Sequence, residues 1–109
     1  MEKLIYVCSP YRGNIKNNIK FAQQCCKYVV SQNHVPIAPH LFFPGFLNDE
    51  NEEERNQALE MNKKLIEKSD EVMVFGDEIS DGMQYEIDYA ESIGKVIKYV
   101  RKRLEGQSK

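Results

Sequence analysis

Apolar residues along the chain form short continuous runs, separated by longer segments of mixed polarity. The runs at residues 3–8, 72–75 and 96–100 are rich in β-branched, aromatic and sulfur-containing side chains, which is typical of strands. A fourth run, at residues 35–38, contains Pro36, which cannot donate to a sheet ladder. The pattern therefore predicts four short strands, the second of them irregular or at an edge of the sheet.

Between these runs, apolar residues recur at helical spacing in three segments. The predicted stripes are Ile15, Ile19, Ala22, Cys26 and Val29 in the first helix, Ala58, Met61, Leu65 and Ile66 in the second, and Met83, Ile87 and Ala90 in the third.

Local signals predict where two of these helices begin and end. Asn14 is the expected N-cap of the first helix. For the third helix we expect Asp81 as N-cap, with Gln84 three residues later in capping-box spacing. Gly94 follows the last periodic residue, where helices commonly end in the left-handed conformation.

Alternating strands and helices in 109 residues predict one α/β domain. We expect a compact three-layer Rossmann-like or flavodoxin-like sandwich with a four- to five-stranded parallel sheet. The domain is expected to cover residues 1–100, and residues 101–109 to form a charged tail that frays into solvent.

The composition narrows the range of functions. A net charge of −2 argues against binding a nucleic acid polymer, and the apolar runs are too short to span a bilayer. The start of the chain lacks the pattern of a signal peptide, and the cysteine count of 3 is odd, which together favour a cytoplasmic protein with reduced thiols. His34 and His40 are isolated from other ligand types, so no metal site is expected.

Three loops are expected to meet at the carboxyl edge of the sheet, where such folds bind ligands. They span residues 9–14, 39–46 and 76–83, and the second is the most aromatic stretch of the chain. Arg12 could hold an anionic or hydroxyl-rich group, or it could be an ordinary surface charge. The residues that we assign to ligand binding are Ser9, Pro10, Tyr11, Arg12, Gly13, His40, Gly76, Asp77, Gly82 and Met83.

Glu86 is the main candidate for chemistry. It lies three residues after Met83 and four before Ala90, which places a carboxylate on or beside the apolar stripe of the third helix. Such a glutamate can be partly exposed, paired with a cation, or catalytic. Its position near a helix N-terminus predicts that it stays ionised. The nearby carboxylates of Asp77, Glu78 and Asp81 could supply a proton donor.

Three segments resemble the nucleoside 2-deoxyribosyltransferase-like superfamily, which includes small N-glycosidases that act on nucleotides. They are Ile-Tyr-Val-Cys-Ser-Pro at residues 5–10, Ser-Asp-Glu-Val-Met-Val at residues 69–74, and Gly-Met-Gln-Tyr-Glu-Ile-Asp-Tyr-Ala-Glu-Ser-Ile-Gly-Lys at residues 82–95. The third segment is the most specific. The combination of Ser-Pro-Tyr-Arg-Gly at residues 9–13, Pro-His-Leu-Phe-Phe-Pro at residues 39–44, and Phe-Gly at residues 75–76 ahead of Gly-Met looks more like a small bacterial and phage-associated branch of the superfamily.

The resemblance implies roles for individual residues. Glu86 would be the nucleophile that attacks the anomeric carbon, and Tyr6 would hold its carboxylate. Asp81, or less closely Asp77, would bind the sugar or assist the base. The chain departs from the deoxyribosyltransferases at one position, because Asn62 stands where they carry an acid used in handling the base, although Glu60 is close by.

Three hypotheses follow. The first is an enzyme, without cofactor or metal, that cleaves or transfers at the N-glycosidic bond of a nucleoside or nucleoside 5′-monophosphate. The resemblance implies a homodimer or larger oligomer, for which residues 41–46 are a plausible contact. The second is a non-catalytic module that binds a nucleotide or nucleotide-derived signal, which Asn62 favours. The third is a purely structural or partner-binding role, and it predicts no deep pocket beside Glu86.

Overall fold

The fold is built on one parallel sheet. The structure is a computed structural model and describes residues 2–101. In that part of the chain the sheet has four strands, which are β1 (Leu4–Cys8), β2 (Val35–Ile37), β3 (Glu71–Phe75) and β4 (Val96–Val100). Their order is β2-β1-β3-β4, and all pairs are parallel. The predicted fold class is confirmed, and β2 lies at an edge as Pro36 indicated.

Three helices cover the two faces of the sheet. They are α1 (Ile15–Ser31), α2 (Glu52–Lys68) and α3 (Asp81–Ser92). The chain leaves β1 toward one edge through α1, and later crosses to β3 on the other side of β1 through α2. Because such crossovers are right-handed, opposite directions place their helices on opposite faces. No helix within residues 2–101 is long and apolar enough to cross a membrane.

The alternation of side chains along β1 and β3 divides the core in two. Ile5 and Val7 pack with α1, in a cluster that includes Cys25 and Val29. Tyr6 and Cys8 face the other side, in a cluster with the apolar stripe of α3 and Ile66 of α2. The deepest cysteine of α1 is therefore Cys25, whereas Cys26, which we assigned to the stripe, is only partly buried.

The order in which strands are added to the sheet reverses at β1 and β3, which are parallel, hydrogen-bonded neighbours. The connection from β1 runs to one side and the connection to β3 runs to the other. A crevice forms at such a switch point, beyond the carboxyl ends of the strands. Ser9 follows β1 directly, and α3 begins six residues after the end of β3. Sheet topology thus brings the first loop and the start of α3 to one place.

Residues 39–46 form two single turns of 3-10 helix, Pro39–Leu41 and Phe43–Gly45. Prolines at the start of each turn fit this conformation because their φ angle is fixed near the helical value. Phe42 and Phe46 are 62% and 58% exposed. The aromatic stretch is therefore ordered and presents part of its apolar surface outward.

The caps of the helices agree with prediction at two of three positions. The Asn14 side chain accepts a hydrogen bond from Asn17 N, and Gly94 has a φ angle of 77°. Ser80 rather than Asp81 caps α3, since Ser80 has extended backbone angles and its Oγ accepts from Met83 N at 3.2 Å. Asp81 is the first helical residue, where a carboxylate interacts with the helix dipole instead.

Ser80→Ala should reduce the free energy of unfolding by about 1 kcal/mol, because it removes the N-cap acceptor of α3. Asp81→Ala should cost less, about 0.3–1 kcal/mol, because it removes only an interaction with the helix dipole. Urea denaturation of the two variants measures the difference. A larger loss in Asp81→Ala would contradict the assignment of the cap.

Candidate functional site

A cavity of about 640 Å³ lies beside the carboxyl end of β1, between the first loop, the aromatic segment, α2 and the start of α3. Its volume is within the range of small-molecule sites. It is lined by Ser9, Tyr11, Arg12, Gly13, Pro39, His40, Phe43, Pro44, Leu47, Asp49, Glu54, Arg55, Ala58, Leu59, Asn62, Ser80, Asp81, Gly82, Met83, Tyr85 and Glu86. The partner-binding hypothesis predicted no deep pocket beside Glu86, and this prediction is wrong.

The carboxylate of Glu86 is buried in the wall of this cavity, with the residue 5% exposed. Tyr6 Oη donates a hydrogen bond to Glu86 Oε2 at 2.9 Å, and Asn62 Nδ2 donates to the same oxygen at 3.2 Å. Neither bond uses Oε1. The two donors therefore fix the carboxylate through Oε2, and among residues 2–101 Oε1 accepts no hydrogen bond.

Burial raises the pKa of Glu86 to about 7, and the hydrogen bonds from Tyr6 and Asn62 oppose this rise, as does the neighbouring thiol of Cys8, whose Sγ donates to the Met83 carbonyl. We predicted instead that the helix dipole keeps this group ionised. The dipole does not hold the pKa down as we expected, because it acts mainly within the first turn and Glu86 is the sixth residue of α3. Burial and the Glu86 carboxylate also raise the pKa of Tyr6 well above its usual value, so Tyr6 remains a proton donor in this bond.

The first loop contributes a buried hydroxyl and an exposed cation. Ser9 is 1% exposed, and its Oγ has no hydrogen-bond partner within the described part of the chain. Arg12 lines the cavity, but its Nε is 3.0 Å from a carboxylate oxygen of Asp49 and its side chain is mostly exposed. Arg55 Nη1 donates to the carbonyl of Asp49 at 3.3 Å. In this structure Arg12 is thus ion-paired with Asp49 at the rim of the cavity.

His40 connects the aromatic segment to the end of β1. Its Nε2 lies 2.8 Å from the Ser9 carbonyl oxygen, which can only accept, so Nε2 donates. Burial lowers the pKa of His40, which favours the neutral ring with Nδ1 as an acceptor. The ring stacks on Tyr11 with centroids 5.1 Å apart. His40 and Tyr11 therefore form one wall of the cavity.

Most of the predicted site residues meet in this cavity. Those that line it are Ser9, Tyr11, Arg12, Gly13, His40, Asp81, Gly82, Met83 and Glu86, and Tyr6 lies behind Glu86. Pro10, Gly76 and Asp77 do not line it.

The position of the strand end explains why Gly76 and Asp77 lie elsewhere. Gly76 has a φ angle of 108°, and a side-chain carbon there would contact Phe21 of α1, on the opposite face of the sheet. Asp77 and Glu78 are exposed. Of the four clustered carboxylates in the sequence, only Asp81 and Glu86 line the cavity.

Sequence reasoning did not assign the contact between Asn62 and Glu86. The same signal that identified Glu86 was present, because Asn62 lies four residues after Ala58 and four before Ile66, as a polar residue on an apolar stripe. Arg55 and Asp49 carried no such signal, since their contribution depends on how α2 approaches the first loop.

Together, the sheet order and the cavity define a doubly wound α/β protein with a ligand-sized cavity at its switch point. A family model described as a domain of unknown function (DUF7768) matches residues 3–100, and the chain belongs to that family. No curated protein matches the sequence significantly.

The chain is similar to two solved structures of deoxyribosyltransferases. One is a 2-deoxyribosyltransferase from Bacillus psychrosaccharolyticus, with a TM-score of 0.67, 19% identity, and coverage of 90% of this chain and 72% of that one. The other, from Leishmania mexicana, has a TM-score of 0.64 and 19% identity, and covers 93% of this chain and 65% of that one. At these identities the likeness shows the fold, and it confirms the predicted resemblance at that level.

Glu86→Gln should change the pH dependence of stability. In the wild type, the pKa of Glu86 rises from 4.5 to about 7 on folding, so the folded state binds more protons between these values. The free energy of unfolding should therefore fall as the pH rises from 4.5 to 7, by about 3 kcal/mol from this group alone at 1.36 kcal/mol per pKa unit. Glu86→Gln should lack this decline.

Chemical denaturation of both proteins at several pH values measures the effect, because groups other than Glu86 contribute equally and cancel in the difference. Parallel profiles for the wild type and Glu86→Gln would contradict the raised pKa.

Proposed function

We propose that this protein cleaves or transfers at the N-glycosidic bond of a nucleoside or nucleoside 5′-monophosphate, with Glu86 as the nucleophile. The observation that carries the proposal is the buried Glu86 carboxylate, fixed at Oε2 by Tyr6 and Asn62 in the wall of a ligand-sized cavity. A carboxylate held in this way is suited to attack a carbon and form a covalent intermediate.

In the proposed reaction, Glu86 Oε1 attacks C1′ and the base leaves with the electrons of the glycosidic bond. The departing base takes up a proton, for which Asp81 is the candidate donor because it is the other clustered carboxylate that lines the cavity. Water or a second base then attacks C1′ of the glycosyl ester and gives its proton to Asp81, which the first step left ionised, and Glu86 leaves as the carboxylate. The two displacements retain the configuration at C1′.

Tyr6 is proposed to position the nucleophile and to stabilise its negative charge. Its phenol donates the shorter of the two hydrogen bonds to Glu86 Oε2. This bond lowers the pKa of Glu86 and so opposes the effect of burial. The reaction requires ionised Glu86, so its rate should rise with pH through about 7. The fold shared with two 2-deoxyribosyltransferases supports the same class of reaction.

The test measures, by chromatography, the release of free base from a panel of nucleosides and 5′-monophosphates, with and without an acceptor base. Glu86→Ala should abolish release, because it removes the nucleophile. Glu91→Ala, which changes an exposed glutamate of the same helix, should retain wild-type release. Tyr6→Phe should retain some release and shift its pH dependence upward, because it removes a donor that lowers the pKa of Glu86.

Release that persists unchanged in Glu86→Ala would overturn the assignment of the nucleophile. Mass spectrometry of the intact wild-type protein provides a second readout, since a glycosyl ester adds the mass of the sugar.

The second candidate function is a non-catalytic module that binds a nucleotide or nucleotide-derived signal. Asn62 favours it, because an amide cannot supply the proton that the acid of deoxyribosyltransferases is implied to handle. In that case a nucleotide would bind without turnover, and Glu86→Ala would leave binding largely intact. The base-release assay and calorimetry on the same samples separate the two functions.

We also propose that the protein forms a homo-oligomer through residues 41–46. Leu41, Phe42 and Phe46 are exposed apolar side chains beside the cavity-lining Phe43, which suits a contact between copies close to the site. The double substitution Phe42→Ser and Phe46→Ser should shift the mass measured by light scattering toward that of a monomer. A wild-type protein that is already monomeric at micromolar concentration would contradict this proposal.

A further inference from the structure

The charged side chains of the cavity are divided unevenly between its walls. Those that line it are Arg12, Asp49, Glu54, Arg55, Asp81 and Glu86. Both arginines belong to the first loop and the start of α2, where Arg12 pairs with Asp49 at 3.0 Å and Arg55 donates to the Asp49 carbonyl at 3.3 Å. Residues 80–86 form the opposite wall, the α3 wall, and its charged groups are the carboxylates of Asp81 and Glu86.

Within residues 2–101, no cation on the α3 wall offsets these two carboxylates. Lys63 of α2 lies close to this wall, with Nζ 5.4 Å from the ring centroids of Tyr85 and of Tyr89. It does not line the cavity, and it pairs with Glu60 at 3.5 Å. The positive end of the α3 dipole is opposed by Asp81 in the first turn. The α3 wall is therefore negative when Glu86 is ionised.

Glu86 Oε1 is the oxygen through which a ligand can meet this negative wall. Among residues 2–101, it accepts no hydrogen bond. The unpartnered side-chain atoms that are sealed from solvent in that part of the chain are Ser9 Oγ and Asn62 Oδ1, so Oε1 keeps accessible surface. An accessible carboxylate oxygen on a wall that carries a second carboxylate favours a positively charged group.

The charge of the leaving base matters for the proposed function, on which this inference rests. The base of a neutral nucleoside leaves with the electrons of the glycosidic bond and must take up a proton. The candidate donor, Asp81, is exposed and lies in the first turn of α3, where an aspartate is ionised at neutral pH. A base that is already cationic in the substrate leaves as a neutral molecule and needs no donor.

We propose that this site prefers N-glycosides whose base carries a positive charge, of the glycosyl pyridinium class. Glu86 Oε1 bonds to C1′ while the C1′–N bond breaks, and its electron pair neutralises the ring nitrogen without any proton transfer. Water then attacks C1′ and gives its proton to the ionised Asp81, and Glu86 leaves as the carboxylate. The charge of Asp81 attracts the cationic base in the first step and receives the proton in the second.

The first experiment compares two ligands of the same shape. Nicotinamide riboside is a ribosyl pyridinium, and benzamide riboside is its neutral analogue with a carbon–carbon glycosidic bond. In calorimetry with Glu86→Gln, which prevents turnover, the cation should bind at least about fivefold more tightly at low salt. The advantage should shrink at about 1 M salt, because ions screen the attraction. Equal affinities at low salt, or an advantage that salt leaves unchanged, would overturn the proposal.

Two further variants locate the effect in the cavity. Asp81→Asn, made in the Glu86→Gln protein, should remove most of the preference for the cation. Asp88→Asn is the matched control, since Asp88 is an exposed aspartate of α3 that does not line the cavity. It should keep the preference. Equal losses in the two variants would contradict the role of the α3 wall.

The pH profile of wild-type turnover tests whether a donor is needed. After subtraction of uncatalysed hydrolysis, kcat/KM for nicotinamide riboside should rise through about pH 7 as Glu86 ionises, and then stay constant. A fall at higher pH would show that a protonated group is required, and it would overturn the proposed first step.

The outcomes separate this inference from the proposed function. If the wild type releases base from neutral nucleosides while the cation binds no better than its neutral analogue, the charge preference fails and the glycosidic chemistry stands. If the cation is preferred but no base is released from any substrate, the chemistry fails and the charge preference stands. If neither riboside binds, both fail.

Discussion

The burial of one carboxylate is the constraint on which the rest of the site depends. Removing Glu86 from water is unfavourable, which is why its pKa rises to about 7. The cost is offset by two donors that come from different elements, Tyr6 from β1 and Asn62 from α2. Both can reach Glu86 only because α2 and α3 pack on the same face of the sheet toward which Tyr6 points. The packing of α2 and α3 on one face of the sheet therefore determines both the layers of the fold and the geometry of the site.

The sequence predicted the fold well because the relevant signals are local. β1 and β3 are short enough, and apolar enough, to be recognised as buried strands, and Pro36 marks the edge. The position of Glu86 also followed from local spacing, since helical periodicity alone places it beside Met83 and Ala90. The prediction of Asp81 rather than Ser80 as N-cap of α3 was wrong for a physical reason. Both side chains are good caps, and the backbone angles that decide between them depend on the preceding turn.

The features that sequence reasoning missed depend on contacts between distant segments. Arg12 pairs with Asp49 only because the segment before α2 folds back over the first loop. The electrostatic state of Glu86 was predicted from its helix, whereas burial by the surrounding elements has the larger effect. Gly76 and Asp77 directly follow β3, next to β1 and close in sequence to α3. At Gly76, however, the chain lies against Phe21 of α1, on the face of the sheet opposite to the site. Proximity in sequence to a site residue was a poor guide there.

The groups that hold Glu86 are far apart along the chain, with Tyr6 80 residues and Asn62 24 residues before it. No short segment of the chain therefore contains a partial version of the site. During synthesis, Tyr6 and Asn62 are made before Glu86. Neither side chain has its acceptor until α3 has formed and packed on the sheet. Ligand binding in the cavity would consequently require that β1, α2 and α3 are packed together, and it would not be detected from any one of these elements folded alone.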